Sequence, residues 1–175
     1  MQFGFKSWRE IEKYLGIEFD SNDDEASKIQ TNIYDYVLID IDNKENIYSF
    51  DMFQADKNYF VTSFDMFSLN KGIQIFQDLE RQLKLVKVLF SYSGVTRDEE
   101  EYLNSLSIEY SIDWSEYSLY FQIFGEDNKV MQENQRLEKI RFKRLTSNYK
   151  ESLAYMIQDI TGIENFVKIK KIMKD

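Results

Sequence analysis

The sequence predicts an α+β fold: one domain with a mixed or mostly antiparallel sheet, a three-strand meander plus later strands, flanked by helices. Three observations lead there. Between residues 33 and 67, apolar residues recur with period two in three runs rich in Tyr, Phe, Ile and Val, the pattern of half-buried strands. Around these runs the period lengthens to that of helices. The chain has 175 residues, 43% of them hydrophobic, which is enough for one core burying about 70% of the unfolded surface.

The elements follow in order. Ser7-Trp8-Arg9-Glu10 is a capping box, and Trp8, Ile11, Tyr14 and Leu15 continue at helical spacing to a stop at Gly16. The polar stretch 20–28 reads as a loop. Strands are expected at 33–41, 46–53 and 58–67, joined by the turns 42–45 and 54–57. Ile73, Phe76, Leu79 and Leu83 have helical spacing. Val86, Val88, Phe90 and Tyr92 alternate as a strand does. Thr96-Arg97-Asp98-Glu99 is a second capping box, with Tyr102, Leu103 and Leu106 giving its helix an apolar face. Two further strands are expected at 108–112 and 117–124, with a turn at 125–128. A helix is expected at 147–160, ending at Gly162. The stretch 130–145 fits helix or strand equally, and 166–173 carries no clear period. No linker divides the chain, so residues 1–175 read as one domain, or as one domain with a basic C-terminal extension from about residue 126.

Composition excludes several chemistries. The chain has no Cys and no His, which removes disulfides, thiolate metal sites and histidine-based triads. It also has no Pro, where average usage would give about nine. Ile, Lys, Asn, Tyr and Phe abound instead, the signature of an AT-rich genome such as that of a low-GC bacterium or its phages. The first residues lack the apolar stretch of a secretory signal, and no apolar run approaches the roughly 20 residues that span a bilayer. The expectation is a cytoplasmic protein without membrane contact.

Charge is unevenly placed. Residues 1–70 hold 14 acids and 6 bases, 71–135 hold 12 and 6, and 136–175 hold 5 and 10. The net charge is −9. The acidic body argues against direct nucleic-acid binding, except through the basic cluster Arg136, Lys139, Arg141, Lys143, Arg144 and the later Lys168, Lys170, Lys171 and Lys174. The acidic runs Asp23-Asp24-Glu25 and Asp98-Glu99-Glu100-Glu101 have two readings each. They are a solvated loop and a first helical turn favoured by the dipole, or they imitate nucleic-acid phosphates for a basic partner. Trp114, Tyr117, Tyr120 and Phe121 crowd one strand, suiting both a sheet and a protein interface.

A near-repeat, Ser49-Phe50-Asp51-Met52-Phe53 and Ser63-Phe64-Asp65-Met66-Phe67, sits on two expected strands. If these are neighbours, Asp51 and Asp65 share a face and are candidate ligands for Mg or Mn. The alternative is a solvated face in front of buried phenylalanines. Val37-Leu38-Ile39-Asp40-Ile41-Asp42-Asn43 is similar to the nucleophile motif of haloacid dehalogenase-like phosphatases. It also fits a strand running into an Asx turn, and a meander rather than a helix is expected to follow.

The element order helix, three strands, helix, strand, helix, strand across 7–112 resembles the core of the PD-(D/E)XK nuclease superfamily. The segment from Val86-Lys87-Val88 to Ser93-Gly94-Val95-Thr96, followed by a helix and Ile108-Glu109-Tyr110, looks like that family's later strand–helix–strand unit. The resemblance implies metal ligation by Asp51 and Asp65, with Lys71 substituting for a catalytic lysine whose place Phe67 holds, and with Asp40 or Glu80 assisting. The departure at Phe67 favours a nuclease-like fold without catalysis.

The leading expectation is therefore a non-enzymatic acidic binding protein without a cofactor. It would be an inhibitor or immunity-type partner, encoded by a phage or mobile element, that occupies a basic surface of a larger protein, such as a nucleic-acid-processing one. Its candidate interface is Asp23, Asp24, Glu25, Asp98, Glu99, Glu100, Glu101, Trp114, Tyr117 and Tyr120. A metal-dependent nuclease and a structural subunit of a larger assembly are the alternatives.

Overall fold

The computed structural model describes residues 35–41, 43–77, 79–106, 108–137 and 141–162, with 167, 169, 171 and 173. The expected first helix, the polar loop and the Asp23-Asp24-Glu25 run lie outside these residues.

The central strand carries the plainest signal. Leu83–Ser91, which becomes β2, is an almost continuous apolar run buried on both faces over most of its length, as a central parallel strand requires. It pairs with β1 (Tyr59–Ser63) on one side and β3 (Ile112–Gln122) on the other. Both pairings are parallel and the order is β1-β2-β3.

This overturns the mixed or mostly antiparallel sheet expected from the sequence, and with it the three-strand meander. Residues 35–41, the described part of the first expected strand, form no strand. The second is a short helix, α1 (Lys44–Ser49), followed by a 3-10 turn at Met52–Gln54. The supposed turn before it is the helix start: Asn43 accepts the Asn46 N–H at 3.0 Å, an N-cap. The third keeps only β1, because Asp65 accepts the Ser68 N–H at 3.0 Å and starts α2 (Met66–Ile73). Helix and strand thus alternate, and parallel strands need such crossovers.

The second half follows the sequence more closely. Helix α3 (Arg97–Leu106) opens with the expected capping box. Thr96 N–H donates to Glu99 at 2.8 Å, and the Glu99 N–H returns to the Thr96 hydroxyl at 3.3 Å. The strand expected at 108–112 is instead the turn into β3, which begins at Ile112 and absorbs the strand expected at 117–124. The turn expected at 125–128 is the first turn of α4 (Gly125–Leu137). Helix α5 (Ser147–Thr161) starts at Thr146 and stops at Gly162, whose φ of 65° belongs to the left-handed region that glycine enters freely.

Helices α2 and α3 pack on one face of the sheet. Leu69, Ile73, Leu103 and Leu106 meet Phe60, Leu83, Leu85, Leu89 and Ile112 there. Helix α5 covers the other face at β3: Phe121 stacks on Phe90 at 4.8 Å and meets Tyr149 edge-on at 5.4 Å. On the far side of α5, Ala154 packs with buried Ile169 and Met173. No helix among the described residues is long and apolar enough to cross a membrane.

Candidate functional site

Two surfaces meet on β3. From Asp98 to Gln122 the chain carries seven acids and no Lys or Arg. This stretch comprises α3 almost entire, the turn after it and β3. Asp98, Glu101, Glu109, Asp113 and Glu116 are exposed, and Tyr117 and Tyr120 are half-exposed beside them.

Glu100 behaves differently from its neighbours. Its carboxylate accepts from the Ser118 hydroxyl at 3.0 Å and from Tyr120 at 2.9 Å, and it lies 3.4 Å from the ammonium of Lys87. Lys87 is 5% exposed on β2 and also donates to Asn104 on α3 at 2.7 Å. Burial raises the Glu100 carboxyl, but the hydrogen bonds from Tyr120 and Ser118 and the Lys87 charge outweigh it and hold the group below its ordinary value. A buried ammonium is tolerated only with such partners. The network ties α3 to β2 through Lys87 and to β3 through Ser118 and Tyr120.

The register of the sheet sets the second surface. Leu85 pairs with Trp114 and Lys87 with Ser118, so β3 holds two residues more than β2 over this interval. The bulge lies where Tyr117 reaches away from α3. Its hydroxyl donates to Asp159 of α5 at 2.8 Å. Tyr59 donates to the same carboxylate at 2.6 Å, and Lys57 pairs with it. Burial works against the charge of Asp159, but the bonds from Lys57, Tyr59 and Tyr117 prevail and hold it below its usual range. Tyr59 is driven well above a normal phenol, first by burial and then by that carboxylate.

The other candidates from the sequence are dispersed. Asp51 sits in the turn between α1 and the 3-10 turn with φ 46°, and Asp65 caps α2. Neither is on a strand, so the expected face shared by two strands does not form. Lys71 is in the last turn of α2. Glu80 is exposed before β2 and Asp40 is exposed in the segment before α1. Among the described residues no group of three or more carboxylates is placed to hold a metal ion. Glu99 is the cap partner of Thr96, and Arg97 pairs with Glu101 at 2.6 Å. Trp114 is half-buried and donates its indole N–H to Leu103 O at 3.1 Å, so it serves the core. In the basic segment, Arg144 pairs with Glu133 at 2.5 Å and Lys150 donates to Lys143 O at 2.9 Å. Lys139, Lys168, Lys170 and Lys174 lie outside the described residues.

Sequence reasoning missed Lys57, Tyr59, Lys87 and Asp159. A signal existed for Lys87, a lone cation inside the apolar run Leu85-Val86-Lys87-Val88-Leu89. The Lys57–Asp159 pair joins residues 102 apart, and nothing in either local sequence points to the other. No protein-family model, curated protein or solved structure matches the chain.

Proposed function

We propose that this protein is a non-enzymatic binding protein that docks on a basic surface of a larger protein through α3 and β3. The observation that carries this reading is the stretch from Asp98 to Gln122, with seven acids, no cation and two half-exposed tyrosines on an outermost strand of those described. Complementary charge steers association and excludes wrong partners, while tyrosines bury area and keep a polar end. The Lys87–Glu100–Tyr120 network holds the surface in shape before any partner arrives, which reduces the ordering cost of binding. An inhibitor or immunity-type role suits such a surface, as does a cytoplasmic setting.

The nuclease alternative has less support, because Asp51 and Asp65 lie on separate turns rather than neighbouring strands.

The test is capture from a lysate of a low-GC bacterial host, washed in steps of rising salt, with wild type and the Asp98→Lys/Glu101→Lys double variant in parallel. A stoichiometric basic partner held by wild type, released by salt and lost in the variant supports the reading. Equal capture by both proteins, or none by either, contradicts it.

A further inference from the structure

The outer edge of β3 faces a groove of about 980 Å³, and no described strand pairs with β3 on that side. One wall is β3 itself: Tyr117, Ser118, Leu119, Tyr120 and Gln122 all line the groove. Side chains of successive strand residues point to opposite faces, so neighbours line one cavity together only where it runs along the backbone edge. The other wall is a single helical face of α5, with Asn148, Glu151, Ser152, Tyr155, Gln158 and Asp159 at spacings of three and four.

The backbone supports the same use. Ile123 N–H donates to Ser91 O at 2.8 Å, toward β2. Backbone groups alternate sides along a strand, so those of Ser118, Tyr120 and Gln122 are directed into the groove. From Tyr117 to Gln122 the strand spans roughly 17 Å, and the helical face from Asn148 to Asp159 also spans roughly 17 Å. An edge strand facing a helix at matched length is the geometry in which an added peptide strand binds.

Deepening the protein-binding reading and resting on it, we propose that the groove receives an extended basic segment of the partner, added as a fourth strand along β3. Charge selects the occupant. Among the described residues, the charged ones lining the groove are Lys57, Glu151 and Asp159. These are two acids against one base, and exposed Glu116 and Asp113 on the same strand add two further acids.

The probe is a fluorescent eight-residue peptide of alternating lysine and valine, with two comparison peptides. One replaces lysine by glutamate; the other keeps the sequence but is N-methylated at every peptide bond, preserving charge and removing the N–H donors. By fluorescence anisotropy, the lysine peptide is expected to bind saturably, the N-methylated copy at least tenfold more weakly, and the glutamate peptide not at all. Gln122→Pro removes one outward N–H and no ladder bond, and is expected to weaken the lysine peptide at least fivefold with an unchanged urea midpoint. If that variant unfolds, the N-methylated comparison on wild type decides alone. No binding of the lysine peptide, or equal binding of its N-methylated copy, overturns the inference. A captured natural partner indifferent to Gln122→Pro overturns strand addition but leaves the acidic-surface reading standing, whereas no captured partner at all removes both.

Discussion

The hydroxyl of Tyr120 lies 2.9 Å from each carboxylate oxygen of Glu100, and that carboxylate also faces the buried ammonium of Lys87. One side chain of α3 therefore joins the central strand to the edge strand. Two kinds of residue singled out separately in the sequence, the acidic run and the aromatic cluster, become one surface through this contact.

The two partners of the ion pair are not equivalent. Glu100→Ala strips Lys87 of its counter-charge and leaves Asn104 as its remaining hydrogen-bond acceptor, so a loss of about 2–3 kcal/mol is expected. Lys87→Met keeps the volume, and Glu100 retains Ser118, Tyr120 and water, so a loss of about 1 kcal/mol or less is expected. Urea denaturation of both variants checks the order, and equal losses would show that Lys87 does not depend on Glu100.

Asp127 closes the junction between β3, α4 and α5. It is fully buried and accepts from Thr146 N–H at 2.7 Å, the Thr146 hydroxyl at 2.9 Å and Phe124 N–H at 3.1 Å. Asp127→Ala leaves these donors unsatisfied, and a cost of about 3 kcal/mol in urea denaturation is expected. Asp127→Asn keeps an acceptor and should cost clearly less.

Stability should fall at both ends of the pH scale, through groups that include those around Asp159. Asp159 and Glu100 are held below their ordinary values of 3.8 and 4.5, so their contribution is present above those values and is lost as pH falls through the folded ones. Tyr59 and Lys57 are held above 10.0 and 10.5, burial opposing the shift for Lys57 and its bonds to Asp159 and Tyr117 overcoming it. Their contribution is present below those values and is lost as pH rises beyond them. Urea midpoints measured from pH 3 to 11 should therefore form a plateau with two limbs. Tyr59→Phe should flatten the alkaline limb and leave the Glu100 part of the acid limb in place.

At Asp51 the backbone is left-handed, with φ 46°. Asp51→Gly should be neutral or stabilising by up to about 1 kcal/mol, whereas the β-branched Asp51→Val should destabilise by about 1–2 kcal/mol. Thermal melting of the two variants tests this, and a loss in Asp51→Gly would point to a role for the carboxylate itself.

Where local chemistry decides, the sequence was readable. The Thr96/Glu99 capping box and the Gly162 stop are where the residues put them, whereas the strand expected from Val86 begins earlier, at Leu83, a residue expected in the preceding helix. Where tertiary context decides, it was not. The two Ser-Phe-Asp-Met-Phe copies end a helix and a strand respectively, with Asp51 in a left-handed turn and Asp65 capping α2. Strand-like alternation in 46–53 gave way because Asn43 supplies a cap and Ile47 alone is buried in α1. Parallel pairing rests on crossovers that only the full chain defines. The acidic run and the tyrosines were visible as letters; the Lys87 and Asp159 contacts that shape their surface depend on residues distant in sequence.

Hydrogen exchange of the protein with and without its captured basic partner tests the central claim most directly. Slowed exchange at the start of α3 and along β3, strongest at the amides of Ser118, Tyr120 and Gln122, is the expected result. Protection confined to α1, α2 or α4 with β3 unchanged would contradict it.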